Sequence, residues 1–227
     1  MFFKRNKHKK YNKSNTPDLK FQGKVFGVGF GKTGTTSLEW ALKQFGYQLG
    51  NQPVSEMLAE DWWNKRADRI IHFCHTADAF QDVPFGMPGL YKELDTHFPK
   101  SKFILTVRDN EEDWYTSLVN FHAKIYAQDK KSIPTEAELK NANYRYKGWS
   151  LDIQKFVFGF PETPLYDKKT YLNKYLTHNK EVISFFKDRP HDLLVLNVSE
   201  KGAYQKLAKF LNVEVDQTAD FPWLNKT

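Results

Sequence analysis

The stretch from Lys24 to Leu42, KVFGVGFGKTGTTSLEWAL, sets one lysine and three threonines on a glycine-rich turn. Those residue types suit the binding of a phosphate or another tetrahedral anion. Glycines let backbone N–H groups crowd at a bend, Lys32 adds a mobile point charge, and Thr33, Thr35, Thr36 and Ser37 add hydroxyl donors. A short apolar strand precedes the turn. After it, Leu38, Ala41, Leu42 and Phe45 recur at i, i+3, i+4 and i+7, a helical stripe that stops at Gly46. Strand, turn and helix together aim the positive end of a helix at the anion. The competing reading is a glycine-rich turn with no ligand.

The type of anion site follows from the spacing. A nucleotide-triphosphatase loop needs G-x-x-x-x-G-K-[ST]. Gly31, Lys32 and Thr33 fit its end, but Phe26 stands where the first glycine belongs, and Gly27 is one residue too close. Of the apolar strands VFGVG, KFILTVRD and DLLVLN, only the second offers an aspartate for magnesium, Asp109, and it follows an arginine. Read as G-x-G-K-T-G-T-T-S-L, the segment resembles the 5′-phosphosulfate loop of sulfotransferases that use 3′-phosphoadenosine 5′-phosphosulfate (PAPS) as sulfuryl donor. The resemblance implies that Gly31, Lys32, Thr33, Gly34, Thr35, Thr36 and Ser37 hold the donor.

A second stretch, KFILTVRDNEEDWYTSLVNF, runs from a strand straight into a helix. Phe103 to Val107 is the unbroken apolar run of a strand covered on both faces. Asn110 can cap the helix, and Trp114, Leu118, Phe121 and Ile125 share its buried face. Arg108 is thereby expected at the carboxyl end of a central strand, where open α/β sheets bind ligands. The sulfotransferase resemblance implies that Arg108 and Ser117 hold the donor's 3′-phosphate. The spacing in better-known members is one residue shorter and selects Thr116. The alternative for Arg108 is a surface pair with Glu111 or Glu112.

The resemblance extends through FQDVPF, LYKELDTHFPKSKFILTVRD, FFKDRPHDLLVLNVSEKGAYQKLAKFL and the closing FPWLN, most of the chain. The two main motifs lie about seventy-five residues apart in family order. Sulfuryl transfer is an in-line displacement in which charge builds on the leaving phosphate. Lys32 would stabilise that charge, and a general base must take the acceptor's proton. In animal cytosolic sulfotransferases a histidine before Leu-Pro does so, and the comparable place here, Gln81-Asp82-Val83-Pro84, offers Asp82. Its other reading is a turn aspartate. His75, His122 and Glu56 are further candidates, read otherwise as a strand or core residue and two solvated helix positions. His72, Cys74 and His75 do not make a metal site: in a strand residues 72 and 75 point to opposite faces, and no second ligand cluster follows.

At 227 residues with one cysteine, the chain suits one domain without an internal disulfide. Six of its seven net positive charges fall on Lys4, Arg5, Lys7, Lys9, Lys10 and Lys13, leaving +1 for the rest. A folded part so near neutrality does not read as a nucleic-acid binder. Residues 1–20 are expected to form a disordered basic tail and 21–227 a single domain. No run reaches eighteen apolar residues, and MFF is followed at once by lysines, so no membrane segment or signal peptide is expected and the setting is cytoplasmic. Residues 130–166, aromatic, basic and broken by prolines, read as an acceptor wall or lid. Phe156, Phe158, Phe160 and Tyr166 there line a pocket or pack helices, and Arg145 and Lys147 are weak candidates for the 3′-phosphate. A helix over Lys168–Lys187, a buried strand LLVLN and a helix capped by Ser199 follow. The fold expected is a three-layer α/β/α sandwich around a parallel sheet of about five strands, similar to P-loop NTPases. The expected activity is PAPS-dependent transfer to a hydroxyl, phenol or amine of a small molecule, releasing 3′,5′-bisphosphoadenosine (PAP), with no metal. Alternatives are a nucleotide kinase or NTPase, and a noncatalytic nucleotide-binding protein.

Overall fold

The computed structural model describes residues 20–222, so all but the last residue of the expected basic tail, and the end of FPWLN, lie outside the described residues. Strand β1 (Val25–Gly27) leads through the glycine turn to α1 (Thr35–Gln44). Three short helices, α2 (Gln52–Glu56), α3 (Ala59–Trp63) and α4 (Asp68–Phe73), precede β2 (Ala79–Phe80), and α5 (Leu90–His97) precedes β3 (Lys102–Thr106). Next come α6 (Glu111–Tyr126), α7 (Glu136–Asn141), α8 (Trp149–Ile153), a π-helical stretch over Gln154–Phe158, and α9 (Lys168–Phe185). The chain closes with β4 (Leu193–Leu196) and α10 (Ala203–Phe210).

The strands form one parallel sheet in the order β2-β1-β3-β4, four strands among the described residues rather than about five. Phe26 pairs with Phe103 and Gly27 with Ile104. Alternation along the strands divides the core. Phe26, Phe103 and Leu105 pack with Leu90 and Leu94 of α5, Val182 of α9 and Phe186 at its C-cap. Val25 and Ile104 pack with Leu38, Leu42 and Leu207 of α1 and α10. Helices thus cover both faces, and the central strands read as continuous apolar runs for that reason.

Several local expectations change. RIIHFC is helical rather than a strand: Ile70 and Phe73, one helical turn apart, bury one face of α4, and a 3₁₀ turn, Cys74–Thr76, follows. His72 and His75 are exposed there. LLVLN is an edge strand whose Val195 is 44 % exposed, not a buried one. Ile125 reaches solvent near the end of α6. Gly202, at φ 80°, occupies the N-cap of α10 in place of Ser199. Asn110 does cap α6, accepting from the Asp113 N–H at 2.8 Å. Among the described residues no helix is long and apolar enough to cross a membrane.

The junction of β1 with the turn leaves no room for a side chain at residue 29. A Cβ on Gly29 would lie 2.3 Å from Thr106 Oγ1 and 2.4 Å from Thr106 O. Gly29→Ala must therefore push β1 from β3, and overpacking of this kind costs about 1–3 kcal/mol. Urea denaturation should show a lower midpoint; an unchanged midpoint would mean that the junction yields freely.

Candidate active site

The site starts where the chain leaves β1. Gly34 stands at the N-cap of α1 with φ 102° and supplies no side-chain cap to the helix. The two preceding carbonyls are claimed. Trp114 Nε1 donates to Gly31 O at 3.1 Å, and Arg108 Nε donates to Lys32 O at 2.7 Å. Lys32 itself adopts φ 73°, a left-handed conformation costly for a side chain and held here by that clasp. Gly31, Lys32, Gly34, Thr35, Thr36 and Ser37 all line a cavity of about 340 Å³. Thr33 does not. Its hydroxyl is fully buried, donates to Phe30 O at 2.6 Å and lies 2.6 Å from Thr106 Oγ1, so it ties the turn to β3 rather than facing a ligand.

Arg108 enters from the carboxyl end of β3, a central strand as expected. Its backbone N–H donates to Tyr175 Oη at 3.1 Å, and its Nη2 donates to Ser117 Oγ at 3.1 Å. Ser117 is buried on the side of α6 that meets Arg108, while Thr116 is exposed. Glu112 pairs instead with Lys168, at 2.7 Å. Tyr175 stacks on Trp114 with ring centres 4.5 Å apart, so one aromatic pair braces both the arginine and the turn.

Lys32 and Asp82 share the cavity. The Lys32 ammonium lies 3.8 Å from the centre of the Phe121 ring. Burial, followed by the neighbouring Arg108 charge, lowers its pKa to about 8, against the attraction of Asp82. Asp82 accepts from Thr35 Oγ1 at 2.8 Å and from the Val83 N–H at 2.9 Å, at φ 62°. Burial pushes its carboxyl above the usual range although those hydrogen bonds and Lys32 oppose the shift. An ammonium that loses its proton early beside a carboxylate that keeps one late is the pattern of acid–base chemistry.

The other candidate bases separate by position. His75 is away from the cavity, with its ring edge-on to Phe98 at 5.2 Å. His122 lines the cavity with Nδ1 2.9 Å from Tyr166 Oη, and burial with the Lys32 charge holds its pKa near 3. Glu56 is not a solvated helix position: it is 6 % exposed, lines the cavity, accepts from Gln52 Nε2 at 3.1 Å and is paired with Arg145 through Nε. Arg145 therefore sits with Glu56, not with Arg108 and Ser117, and Lys147 is exposed. Of the aromatic residues in 130–166, Phe158 lines the cavity, Phe156 stacks on Trp63 at 5.5 Å, and Tyr166 packs with Tyr171 at 5.7 Å in the third core cluster. Among the described residues no group of three or more His, Cys, Asp or Glu is arranged to hold a metal.

Sequence reasoning missed what Trp114, Phe121 and Tyr175 do at the site. Trp114 and Phe121 read as core residues of α6 and Tyr175 is not singled out at all, and no local signal distinguishes an indole that packs from one that also holds a carbonyl 83 residues away. None of the curated proteins compared with the chain matches it. The model of the sulfotransferase domain family matches residues 24–227, nearly the whole span. With the glycine turn, Lys32 and Arg108 inside that match, the chain belongs to the sulfotransferase domain family.

Proposed function

We propose that this protein transfers the sulfuryl group of PAPS to a hydroxyl, phenol or amine of a small acceptor. The observation that carries the reading is the joining of two anion-binding features in one clasp: Arg108 holds the Lys32 carbonyl through Nε while its Nη2 reaches Ser117. A donor with phosphates at two positions of one ribose needs two such features side by side. The chain's groups fit: an uncapped helix start, a lysine over the turn, and an open approach at Gly31, where even an added Cβ would meet only Asp82 Oδ1, at 3.5 Å. The donor would supply a sulfuryl group attached to a good leaving phosphate.

The residues then have separate duties. The amides of the turn and the hydroxyls of Thr35, Thr36 and Ser37 bind the 5′ end, and Arg108 with Ser117 binds the 3′ end. Lys32 stabilises negative charge on the leaving oxygen. Asp82 takes the acceptor proton, oriented for it by the Thr35 hydroxyl and the Val83 N–H. His122 is a poorer base because its conjugate acid is too strong, and Glu56 is occupied by Arg145. Residues 130–166, which bring Arg145, Trp149 and Phe158 to the cavity, form the acceptor wall.

PAP without metal should raise the melting temperature, whereas ATP with magnesium should not; the reverse result would favour a kinase. Arg108→Ala should weaken PAP binding by about 1.5–3 kcal/mol in calorimetry, and unchanged affinity would remove Arg108 from the site. Lys32→Ala should lower kcat far more than it weakens PAP binding; a loss confined to KM would contradict a role at the leaving oxygen. The rate should rise with pH as Asp82 ionises and fall as Lys32 loses its proton near pH 8 in the free enzyme. Asp82→Asn should cut kcat by about 10²–10⁴-fold and erase the rising limb, and a variant that kept that limb would rule out Asp82 as the base.

A further inference from the structure

The charged groups of the cavity form a sequence of neighbours. Lys32 feels the charges of Arg108 and Asp82, and Glu56 those of Asp82 and Arg145. Both arginines line the cavity, Arg108 bonded to the Lys32 carbonyl and Arg145 to Glu56. Arg145 is carried by the loop between α7 and α8 and crosses to α2, where Glu56 takes its Nε. A second bond ties the same helix end: Trp149 Nε1 donates to Glu56 O at 3.2 Å. Glu56 is itself fixed by Gln52, so the guanidinium is held from behind and its plane is set.

A guanidinium has five N–H donors, and Glu56 uses one of them. Among the described residues no other hydrogen bond or ion pair engages Arg145. Its face lies over the Tyr144 ring, 4.5 Å from the centre, and the side chain is 23 % exposed, at the wall of the cavity. A largely covered guanidinium whose terminal fork meets no protein acceptor is set to receive a planar anion in two parallel hydrogen bonds. The cavity that Arg145 and Lys32 both line also carries aromatic side chains: Phe121, Tyr126, Tyr144, Trp149 and Phe158. Flat rings of this kind bind a flat ring best.

We propose that the acceptor is a small aromatic alcohol or phenol bearing a carboxylate, with the carboxylate held by the terminal nitrogens of Arg145 and the hydroxyl directed to Asp82 and Lys32. This rests on the sulfuryl-transfer reading and deepens it. Glu56 is a positioning residue: it aims the fork and does not touch the acceptor. One guanidinium can serve two carboxylates, that of Glu56 through Nε and that of the acceptor through the terminal nitrogens.

The test measures the affinity of 3-(4-hydroxyphenyl)propionate and its methyl ester by calorimetry, with PAP present. The acid should bind about ten- to a hundredfold more tightly than the ester, the range of one charged hydrogen-bonded contact. Arg145→Gln should bring the two affinities together, and Arg145→Lys, which keeps the charge without the fork, should leave an intermediate preference. Glu56→Gln should preserve it, because the amide oxygen still accepts from Arg145 Nε, and Glu56→Ala, which frees the fork, should narrow it; if the pair were merely structural, these variants would weaken acid and ester alike. Equal binding of acid and ester by the unaltered protein, binding of neither, or a preference that survives Arg145→Gln would overturn the proposal. Turnover with sulfur-labelled PAPS, measured alongside, keeps the two readings apart. Tight binding of the acid without transfer would sink the reaction and leave the carboxylate site, while transfer to the ester with no preference for the acid would sink the site and leave the reaction.

Discussion

The carbonyl oxygens of Gly31 and Lys32 are each taken by a side chain of the β3–α6 unit, Trp114 and Arg108. A peptide plane has one donor and one acceptor edge, so tying down consecutive carbonyls orients the following amides the other way. The turn is thereby held in one conformation in front of α1, with Lys32 in a left-handed conformation that an unsupported chain would leave. The cavity wall, the direction of Lys32 and the position of Arg108 all follow from those two bonds. Tyr175 extends the arrangement into α9 by stacking on Trp114 and accepting from the Arg108 amide, so three elements share one brace.

Within that frame, burial decides what each charge can do. Lys32 lies close to Arg108 and against the Phe121 ring in a partly desolvated position, which makes its proton easier to lose. Asp82 is pushed the other way by the same lack of water. Either group alone would be a costly buried charge; as neighbours each lowers the cost of the other, and the pair stays poised rather than collapsed into a tight ion pair. Glu56 and Arg145 differ. They are in direct contact, so their charges are spent on position more than on reactivity.

Much of this was legible in the residues because it is local. The turn, the stripe on α1, the run into Arg108 and the cap at Asn110 each need only neighbouring positions to be read, and the layered α/β class follows from their order. Ser117 over Thr116 was not settled by family spacing, since one residue is a rotation of 100° on a helix, and packing of α6 decides which hydroxyl faces the arginine. Thr33 carries a donor that looked available but satisfies Phe30 O, as a buried hydroxyl must. Glu56 was a candidate base whose burial the sequence did not show. A glutamate in a short polar helix reads as solvated, and only Arg145, 89 residues on, makes it a buried partner. RIIHFC misled for the opposite reason: a short apolar run does not by itself distinguish a strand from a buried helical turn.

The distances along the chain at this site have a kinetic meaning. The bonds that shape it join residues 76, 83, 89 and 93 positions apart. Closing loops of that size costs entropy before any contact compensates it, and the β1–β3 register, which joins Val25 to Lys102, closes one of the same size, so these bonds and the sheet depend on each other. Until both have formed the glycine turn is a flexible tether between a strand and a helix, with its carbonyls free to point anywhere. The donor site proposed above therefore belongs to the finished sheet alone, and a chain caught on the way there carries the motif without the geometry.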